Sequence, residues 1–450
     1  MRLAVVTPVS TRSAIARSTD LVVAALRAQD HDVLVVRADN DLAVGVDRFD
    51  MDDGAMDWTP TPELIAELSA ADAIVYELGD NAAFHAGCVK LMTTFPGIVV
   101  LHDFYLANLY NGYCHLHPGV TLDELVEGRY GPDVAAALPE VVADGRFQSF
   151  MADEAPMTEV AVEAARAAIC HAHWGTERVL AACGGPVTVM PLPYDADADT
   201  DADPDMGVAV DLDGDLDLDL RDGPSETPSE KRTIVTFGHV NRNKRARSVI
   251  RALGADATVR ARWRYLVVGP IDPTERAELT ALADQRNVEL VCRGEVTRAE
   301  LASAIAGADL VSCLRYPALE ASSASAIEAM LHRKPIAVTD TGFYAELPDE
   351  VVVKIDPEAE IRELHELLLS FDARAPHLAQ QGERAREWAL ATFDPDRYAA
   401  GIVELAEQVR AQEPASAALT RIGRDLAGWG VAPDSPLLGP VLAPLDPVWS

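Results

Sequence analysis

The sequence has no apolar run as long as a membrane span. No stretch approaches the eighteen or more consecutive apolar residues of a transmembrane helix, so we expect none to cross a membrane. The first apolar stretch, within residues 3–8, is short and is followed by polar and charged residues, which favours a buried strand over a signal peptide. The sequence therefore predicts a cytoplasmic protein.

Cysteine is sparse, and its spacing excludes the common paired sites. The six cysteines are scattered and none forms a CxxC pair, so buried thiols in a reducing compartment are favoured over disulfides or zinc. The run Cys114-His115-Leu116-His117 has residue types found at metal sites, but no fourth ligand accompanies it, and a loop or packing role is favoured. We therefore predict no metal site.

Positive charge is scarce as well. The chain has 38 basic residues, only five of them lysines, against 72 acidic ones, and its net charge is −34. Such a chain repels nucleic acids, which excludes DNA and RNA as expected partners. No G-x-G-x-x-G follows the first predicted strand and no G-x-x-x-x-G-K-[ST] occurs, which disfavours a dinucleotide-dependent dehydrogenase and a P-loop NTPase.

What the chain does have is the pattern of two α/β domains. At 450 residues it is too long for one compact core, and in both halves apolar runs of strand length alternate with helical segments. This alternation predicts parallel sheets covered by helices on both faces. The predicted strands are residues 3–7, 32–36, 73–76, 97–101, 167–171, 187–190, 233–237, 265–269, 288–292, 310–314, 335–339 and 351–355. The predicted helices are residues 17–28, 157–167, 248–253, 273–283, 298–306 and 323–332.

An acidic segment separates the two halves. Twelve aspartates fall within the 28 residues from Asp195 to Asp222, and such dense like charge predicts a disordered linker. The aspartate spacing does not match a calcium-binding loop. We divide the chain into an amino-terminal domain (1–193), the acidic linker (194–230), a carboxy-terminal domain with its helices (231–412) and a loosely packed tail (413–450). Two such domains create a cleft at the carboxyl ends of their strands, where ligands bind.

A basic loop follows the first strand of the second domain. It begins at Gly238, which would let a ligand approach the strand end closely, and five cations follow it: Arg242, Lys244, Arg245, Arg247 and Arg251. Cations at the start of a helix oppose its dipole, so their concentration here favours an anion site, such as one for a diphosphate. The alternative is a solvated basic turn paired with the acidic body.

Two glutamates follow the strand predicted at 310–314. Glu320 lies in the loop after that strand, and Glu328 lies in the helix that Ser322 or Ser323 would cap. The free amides of that helix suit a phosphate. The two carboxylates would hold hydroxyl groups on different parts of one ligand, for example the hexose and the ribose of a sugar nucleotide. The alternative is a capped surface helix with two solvated glutamates.

The basic loop comes first and the two glutamates follow about 75 residues later. This order resembles that in the retaining glycosyltransferases of family 4, the group 1 type. The segments Thr7-Pro8 with Ser13–Ala16, Leu78–Asn81, Val99–Asp103, Leu314–Pro317 and Phe343–Pro348 add to a resemblance that covers about residues 1–410 without the acidic segment. It implies the GT-B fold, an α/β architecture in which two Rossmann-like domains face each other across a cleft. Relatives often carry glycine where this chain has Ala14 and arginine where it has His239.

The resemblance also implies the roles of individual residues. The implied catalytic residues are Lys244, Glu320 and His102. Lys244 would stabilise the leaving diphosphate, Glu320 would contact hydroxyls of the transferred sugar, and His102 would face the transferred sugar or the acceptor. The implied donor-binding residues are Gly238, Arg245, Arg293, Gly294, Ser322, Ser323 and Glu328. The leaving phosphate would deprotonate the acceptor on the same face of the sugar, so no protein nucleophile, metal or other cofactor is implied.

The sequence thus predicts transfer of a hexose-type sugar from a nucleotide-diphosphate sugar to a saccharide, lipid or small-molecule acceptor. Synthesis of cell-surface polysaccharide or glycoconjugates fits this activity, with a peripheral contact at the inner face of the membrane for a lipid-linked acceptor. Two alternatives stay open, namely a nucleotide-sugar epimerase of the same fold and a non-catalytic nucleotide-sugar-binding subunit. The sequence leaves the base, the sugar, the acceptor and the oligomeric state open.

Overall fold

The computed structural model describes residues 1–39, 47–195 and 231–431, together with residues 435 and 438. The linker predicted at 194–230 falls almost entirely outside the described residues, as does most of the predicted tail beyond residue 431. The prediction that the linker is disordered therefore stays a prediction.

The amino-terminal domain is built on a seven-stranded parallel sheet with the order β3-β2-β1-β4-β5-β6-β7. Its strands are β1 (Arg2–Thr7), β2 (Asp32–Arg37), β3 (Met56–Asp57), β4 (Ala73–Leu78), β5 (Ile98–Leu101), β6 (Ala167–Cys170) and β7 (Val187–Val189). Its helices are α1 (Ala14–Ala28), α2 (Pro62–Ala70), α3 (Ala82–Met92), α4 (Ala107–Leu116), α5 (Leu122–Tyr130), α6 (Pro132–Ala143), α7 (Phe147–Glu154), α8 (Thr158–Val162) and α9 (Thr176–Ala182).

The carboxy-terminal domain repeats this architecture with a six-stranded parallel sheet in the order β10-β9-β8-β11-β12-β13. Its strands are β8 (Arg232–Phe237), β9 (Trp263–Val268), β10 (Leu290–Arg293), β11 (Leu310–Cys313), β12 (Ile336–Thr339) and β13 (Val353–Ile355). The helices that follow β8 are α10 (Ala246–Leu253), α11 (Ala257–Arg262), α12 (Pro273–Arg286), α13 (Arg298–Ala306), α14 (Ala324–Leu331), α15 (Phe343–Glu346), α16 (Glu360–Thr392) and α17 (Pro395–Gly428).

Alternation along the central strands explains why both faces of each sheet are covered. In β1, Leu3 and Val5 pack into one hydrophobic cluster while Ala4 and Val6 pack into another on the opposite face. Successive side chains of a strand point to opposite faces, so a strand that is apolar throughout needs helices on both sides. The predicted α/β class with two Rossmann-like domains is confirmed.

All twelve predicted strands are present, with ends that differ by at most two residues. The two-residue strand β3 was not predicted because it has no apolar run of its own. The helix predicted at 157–167 ends at Val162, since the chain must turn before it enters β6 at Ala167.

Helix α17 runs across the predicted boundary at residue 412. α17 continues to Gly428, past the predicted start of the tail, and it packs against α1 of the amino-terminal domain. Its residues Tyr398, Ile402 and Leu405 are buried in the same cluster as Leu3 and Val5 of β1. Helix α17 therefore crosses back and contributes to the amino-terminal core.

Candidate active site

The candidate site is a cleft between the carboxyl ends of the two sheets. A cavity of about 450 Å³ is lined by residues that follow β1, β4 and β5 in one domain and β8 and β11 in the other. The strand order reverses between β1 and β4, and again between β8 and β11. Open α/β sheets bind ligands at such reversal points, so the topology puts the cavity where a substrate is expected.

Two loops, one from each domain, meet at the floor of this cleft. The backbone amides of Phe104 and Tyr105 both donate to the carbonyl of Leu319, and the amide of Ala321 donates to the carbonyl of His102. Asp103 and Glu320 form an antiparallel bridge between these contacts. The pairing brings the loop that carries His102 next to the loop that carries Glu320, although more than 200 residues separate them.

Lys244 lies in the cleft beneath the end of β8. Its side chain is only 6% exposed, and its ammonium group donates to the carbonyl of Phe237. Gly238 has a φ of +86°, and a Cβ atom there would lie 2.7 Å from the Lys244 Nζ. The left-handed backbone favours glycine at 238, and any other residue would also have to displace the end of the Lys244 side chain. Burial, with a further contribution from Arg315, lowers the pKa of Lys244 to about 7.

Arg315 is a second buried cation of the cleft, and it was not among the predicted site residues. It follows β11, is 3% exposed, and its Nε lies 3.3 Å from a carboxylate oxygen of Glu320. The other Glu320 oxygen accepts a hydrogen bond of 3.2 Å from the Tyr344 hydroxyl. Arg315 and Tyr344 thereby fix the carboxylate of Glu320 at the cavity wall. Arg315 lies directly after a central strand, and this position was the signal in the sequence that could have identified it.

The adjacent serines differ in their surroundings. The Ser323 hydroxyl caps α14 by accepting from the amide of Ala326 at 3.3 Å. The Ser322 hydroxyl is buried at the cavity wall and has no hydrogen-bond partner among the described residues. A buried hydroxyl without a partner is unfavourable unless a ligand supplies one. Ser323 is therefore the helix cap, and Ser322 is the serine available to a ligand.

Glu328 lies one layer behind the cavity. Its carboxylate accepts a 2.9 Å hydrogen bond from the hydroxyl of Tyr194, and both side chains are buried. Tyr194 lines the cavity, whereas Glu328 does not. Tyr194 belongs to the segment that leaves the amino-terminal domain, and the sequence offered no signal that it would contact Glu328.

Three predicted donor-binding residues lie away from this cavity. The guanidinium of Arg245 forms an ion pair at 3.0 Å with Glu360, a buried residue at the start of α16. Arg293 and Gly294, at the end of β10, do not line the cavity either. For Arg245 the reason is tertiary: the residue adopts a left-handed backbone conformation, and its side chain turns towards α16.

His102 lies at the end of β5 and borders the cavity, but both of its ring nitrogens contact protein groups. Nε2 lies 2.6 Å from a carboxylate oxygen of Glu77, and Nδ1 lies 3.3 Å from Nε2 of His171. The Nδ1 atom of His171 lies 2.9 Å from the carbonyl of Met190. Burial raises the pKa of Glu77 to about 7 and lowers the pKa values of both histidines to about 3.

The amino-terminal side of the cleft is acidic. Asp103 accepts from the amide of Asp80, and Asp80 accepts from the side chain of Asn108 and the amide of Leu109. Burial is the main cause that raises the pKa of Asp80 to about 8 and that of Asp103 to about 7. Among the described residues that line the cavity, this domain contributes no lysine or arginine.

Signs of a metal centre or of a membrane span are absent from the described residues. Within those ranges, no cluster of three or more histidine, cysteine or acidic side chains could hold a metal ion. The six cysteines are free thiols. Over the same part of the chain, no helix combines the length and the apolar character of a membrane span.

Residues 221–388 match the family model described as glycosyl transferases group 1. This range contains Gly238, Lys244, Glu320 and Glu328. No curated protein sequence matches the chain.

Solved structures of similar fold cover nearly the whole chain. Sucrose-phosphate synthase from Thermosynechococcus elongatus is 14% identical with a TM-score of 0.59, over 91% of this chain and 99% of that one. HepE from Anabaena, solved with UDP-glucose, is 16% identical with a TM-score of 0.56, over 92% and 100%. A glycosyltransferase from Rickettsia africae is 14% identical with a TM-score of 0.59, over 91% and 98%. The chain has the GT-B fold.

Proposed function

We propose that this protein is a retaining glycosyltransferase that moves a hexose-type sugar from a nucleotide-diphosphate sugar to a hydroxyl of an acceptor. One observation carries the proposal: two buried cations, Lys244 and Arg315, meet the fixed carboxylate of Glu320 and the unpaired hydroxyl of Ser322 in one interdomain cavity. Cations suit a diphosphate, and a carboxylate beside them suits the hydroxyls of a sugar.

The family match and the neighbouring structures support a nucleotide-sugar donor. The matched range contains the residues proposed to bind the diphosphate and the ribose, and HepE was solved with UDP-glucose. We therefore take UDP-glucose as the first donor to test, together with the GDP, ADP and dTDP sugars. The acceptor would be a saccharide, a lipid-linked saccharide or a small molecule, and a lipid-linked acceptor would bring the protein to the inner face of the membrane.

In the proposed mechanism, Lys244 and Arg315 neutralise the diphosphate as the bond to the sugar breaks. Glu320 holds hydroxyls of the transferred sugar, the ring of His102 contacts the sugar from the neighbouring loop, and Glu328 contributes to the ribose site beside Tyr194. The departing phosphate oxygen takes the proton of the acceptor hydroxyl on the same face of the sugar. The protein then contributes mainly position and fixed charge, with no metal or other cofactor required.

The test combines donor binding with transfer. Calorimetry should detect one nucleotide sugar that binds selectively, and Lys244→Ala should abolish transfer while the fold stays intact, because the lysine acts on charge that develops in the transition state. Lys334→Ala is a matched control, since the Lys334 ammonium donates to the carbonyls of Ala306 and Ala308 and does not line the cleft.

The outcome also separates the alternatives. Full transfer by Lys244→Ala would refute the proposal. Selective binding with no transfer to any saccharide would favour a non-catalytic subunit, and conversion of the donor sugar without an acceptor would favour an epimerase.

A further inference from the structure

Behind His102, a chain of three hydrogen bonds connects side chains from three neighbouring strands of the amino-terminal sheet. Glu77 lies in β4, His102 follows β5 and His171 follows β6, and all three are buried. The contacts run from Glu77 to His102 at 2.6 Å, from His102 to His171 at 3.3 Å, and from His171 to the carbonyl of Met190 at 2.9 Å.

The number of protons in this chain follows from its geometry. Each of the three hydrogen bonds needs one hydrogen, whereas a carboxylate and two neutral imidazoles supply only two. The cluster therefore holds one proton more than these three groups usually hold near neutral pH, and it is uncharged as a whole. An uncharged cluster is what burial favours, because an isolated buried charge is costly.

With both rings neutral, as their burial favours, the carbonyl of Met190 fixes the direction of every donor. A carbonyl oxygen only accepts, so Nδ1 of His171 carries hydrogen and, in a neutral ring, its Nε2 accepts. Nδ1 of His102 must then donate to it, which leaves Nε2 of His102 as an acceptor. The remaining hydrogen belongs to the carboxyl group of Glu77, in agreement with its raised pKa and with the low pKa values of the two histidines.

We infer that Glu77 is a positioning residue that acts as a protonated carboxylic acid and, with His171, fixes the tautomer and the ring plane of His102 in the cleft. The inference rests on the proposed function, because it assigns a task to the residue that is proposed to contact the transferred sugar. When Glu77 loses its proton, its carboxylate faces the lone pair of the His102 Nε2, and the chain of donors breaks.

The other titratable groups near Glu77 do not gain or lose a proton in the pH range in which Glu77 does. From α3, His85 and Cys88 contact the backbone carbonyl of Glu77, and from α17 the buried hydroxyl of Tyr398 has no partner among the described residues. Burial lowers the pKa of His85 to about 3 and raises the pKa values of Cys88 and Tyr398 well above their ordinary values. None of these three groups therefore changes charge between pH 5.5 and 9, the range of the test below.

The first experiment compares pH profiles of kcat for the wild type, Glu77→Gln and Glu77→Leu from pH 5.5 to 9. A glutamine amide donates to Nε2 as the carboxylic acid does but does not titrate, so Glu77→Gln should keep substantial activity. Between pH 6 and 8, the ratio of wild-type to Glu77→Gln activity should fall about tenfold, as expected for one proton with a pKa near 7. Glu77→Leu should lose about tenfold or more in kcat at every pH, because the His102 nitrogen loses its donor.

Parallel wild-type and Glu77→Gln profiles would overturn the inference, and so would equal losses in the Gln and Leu variants. Other groups of the cleft that titrate near pH 7 are the same in all three proteins and cancel in the ratio.

A second measurement needs no activity. Nitrogen-15 spectra of the histidine rings below pH 7 should show hydrogen on Nδ1 of both His102 and His171, with signals assigned through His102→Gln and His171→Gln. Hydrogen on Nε2 of His102 would overturn the inference. A wild-type protein that binds no nucleotide sugar would instead count against the proposed function, and the spectra would still decide the tautomers.

Discussion

The low pKa of Lys244 predicts that donor binding weakens as the pH rises above about 7. In the empty cleft, burial and the neighbouring Arg315 lower this pKa from 10.5 to about 7, so the amine is largely neutral at pH 8. A bound diphosphate places negative charge beside the amine and raises its pKa again. Binding then takes up a proton, and the dissociation constant should increase about tenfold for each pH unit above 7.

Calorimetry at pH 8, in two buffers with different ionisation enthalpies, measures this proton directly. With a pKa near 7 in the free protein, about 0.9 proton should be taken up for each donor bound. The diphosphate of a nucleotide sugar is esterified at both ends and does not titrate in this range. Lys244→Arg is the matched control: a guanidinium stays charged, so the uptake at pH 8 should be about 0.9 proton smaller than in the wild type, while any contribution from Asp80 and Asp103 is common to both proteins.

The same pKa has a consequence for stability. The fall from 10.5 to about 7 corresponds to about 5 kcal/mol of destabilisation at pH 7 and below, and this penalty shrinks as the pH rises towards 10.5. Lys244→Met removes the penalty but leaves the Phe237 carbonyl without its donor, which costs about 1–3 kcal/mol. The variant should therefore unfold at higher denaturant concentration than the wild type at pH 7, although it should not transfer sugar.

A normal affinity without proton uptake at pH 8 would refute this reasoning. It would mean that Lys244 is already charged in the empty cleft. Uptake in Lys244→Arg as large as in the wild type would refute it as well, because another group would then be the source of the proton.

Three further predictions follow from the other residues of the cleft. Arg245→Ala should leave the calorimetric donor affinity within about threefold, yet lower the free energy of unfolding by about 1–3 kcal/mol because the buried carboxylate of Glu360 loses its partner. A large loss of affinity would instead show that Arg245 binds the donor. Ser323→Ala should lower the free energy of unfolding by about 1 kcal/mol because α14 loses its cap, whereas Ser322→Ala should leave stability unchanged and weaken donor binding. Equal losses of stability in denaturant titrations would contradict the assignment of Ser323 as the cap and Ser322 as the serine available to a ligand. At pH 8, where most of Asp103 is ionised, Asp103→Asn should raise kcat/KM for an acidic acceptor relative to its neutral analogue by about tenfold in a competition assay, since about one unit of like charge is removed from a poorly solvated wall. An unchanged ratio would show that the acceptor does not approach Asp103.

The part of the site that could be predicted from sequence lies at the ends of central strands. Gly238 follows β8, and Glu320 lies in the loop after β11, so strand patterns alone bring them to one edge of one sheet. Because parallel strands end together, such residues converge whatever the detailed packing is. The twelve strands were found for a similar reason: a strand buried on both faces is a local apolar run.

The sequence could not show in the same way which of the neighbouring cations would face the ligand. Five cations crowd residues 242–251, yet of these only Lys244 lines the cavity, while Arg245 pairs with a glutamate 115 residues further along the chain. Which guanidinium turns to the ligand depends on where acidic partners from α12 and α16 lie after folding. Arg315 reaches the cavity from a segment that carries no other cation, so a cluster of charge could not indicate it.

The position of Glu77 in a buried strand is a local signal in the sequence that indicates its contact with His102. It is the only ionisable residue with an ordinary pKa below 7 in β4, a strand whose six residues are all buried. A carboxyl group at such a position must be paired or protonated, because a parallel strand covered on both faces offers it no water. The neighbouring strands β1 and β5 contain no acidic residue, but His102 lies one residue beyond the end of β5. An acidic residue in a central apolar strand, beside a strand that is directly followed by histidine, is therefore a sequence pattern that predicts a buried carboxyl–imidazole contact.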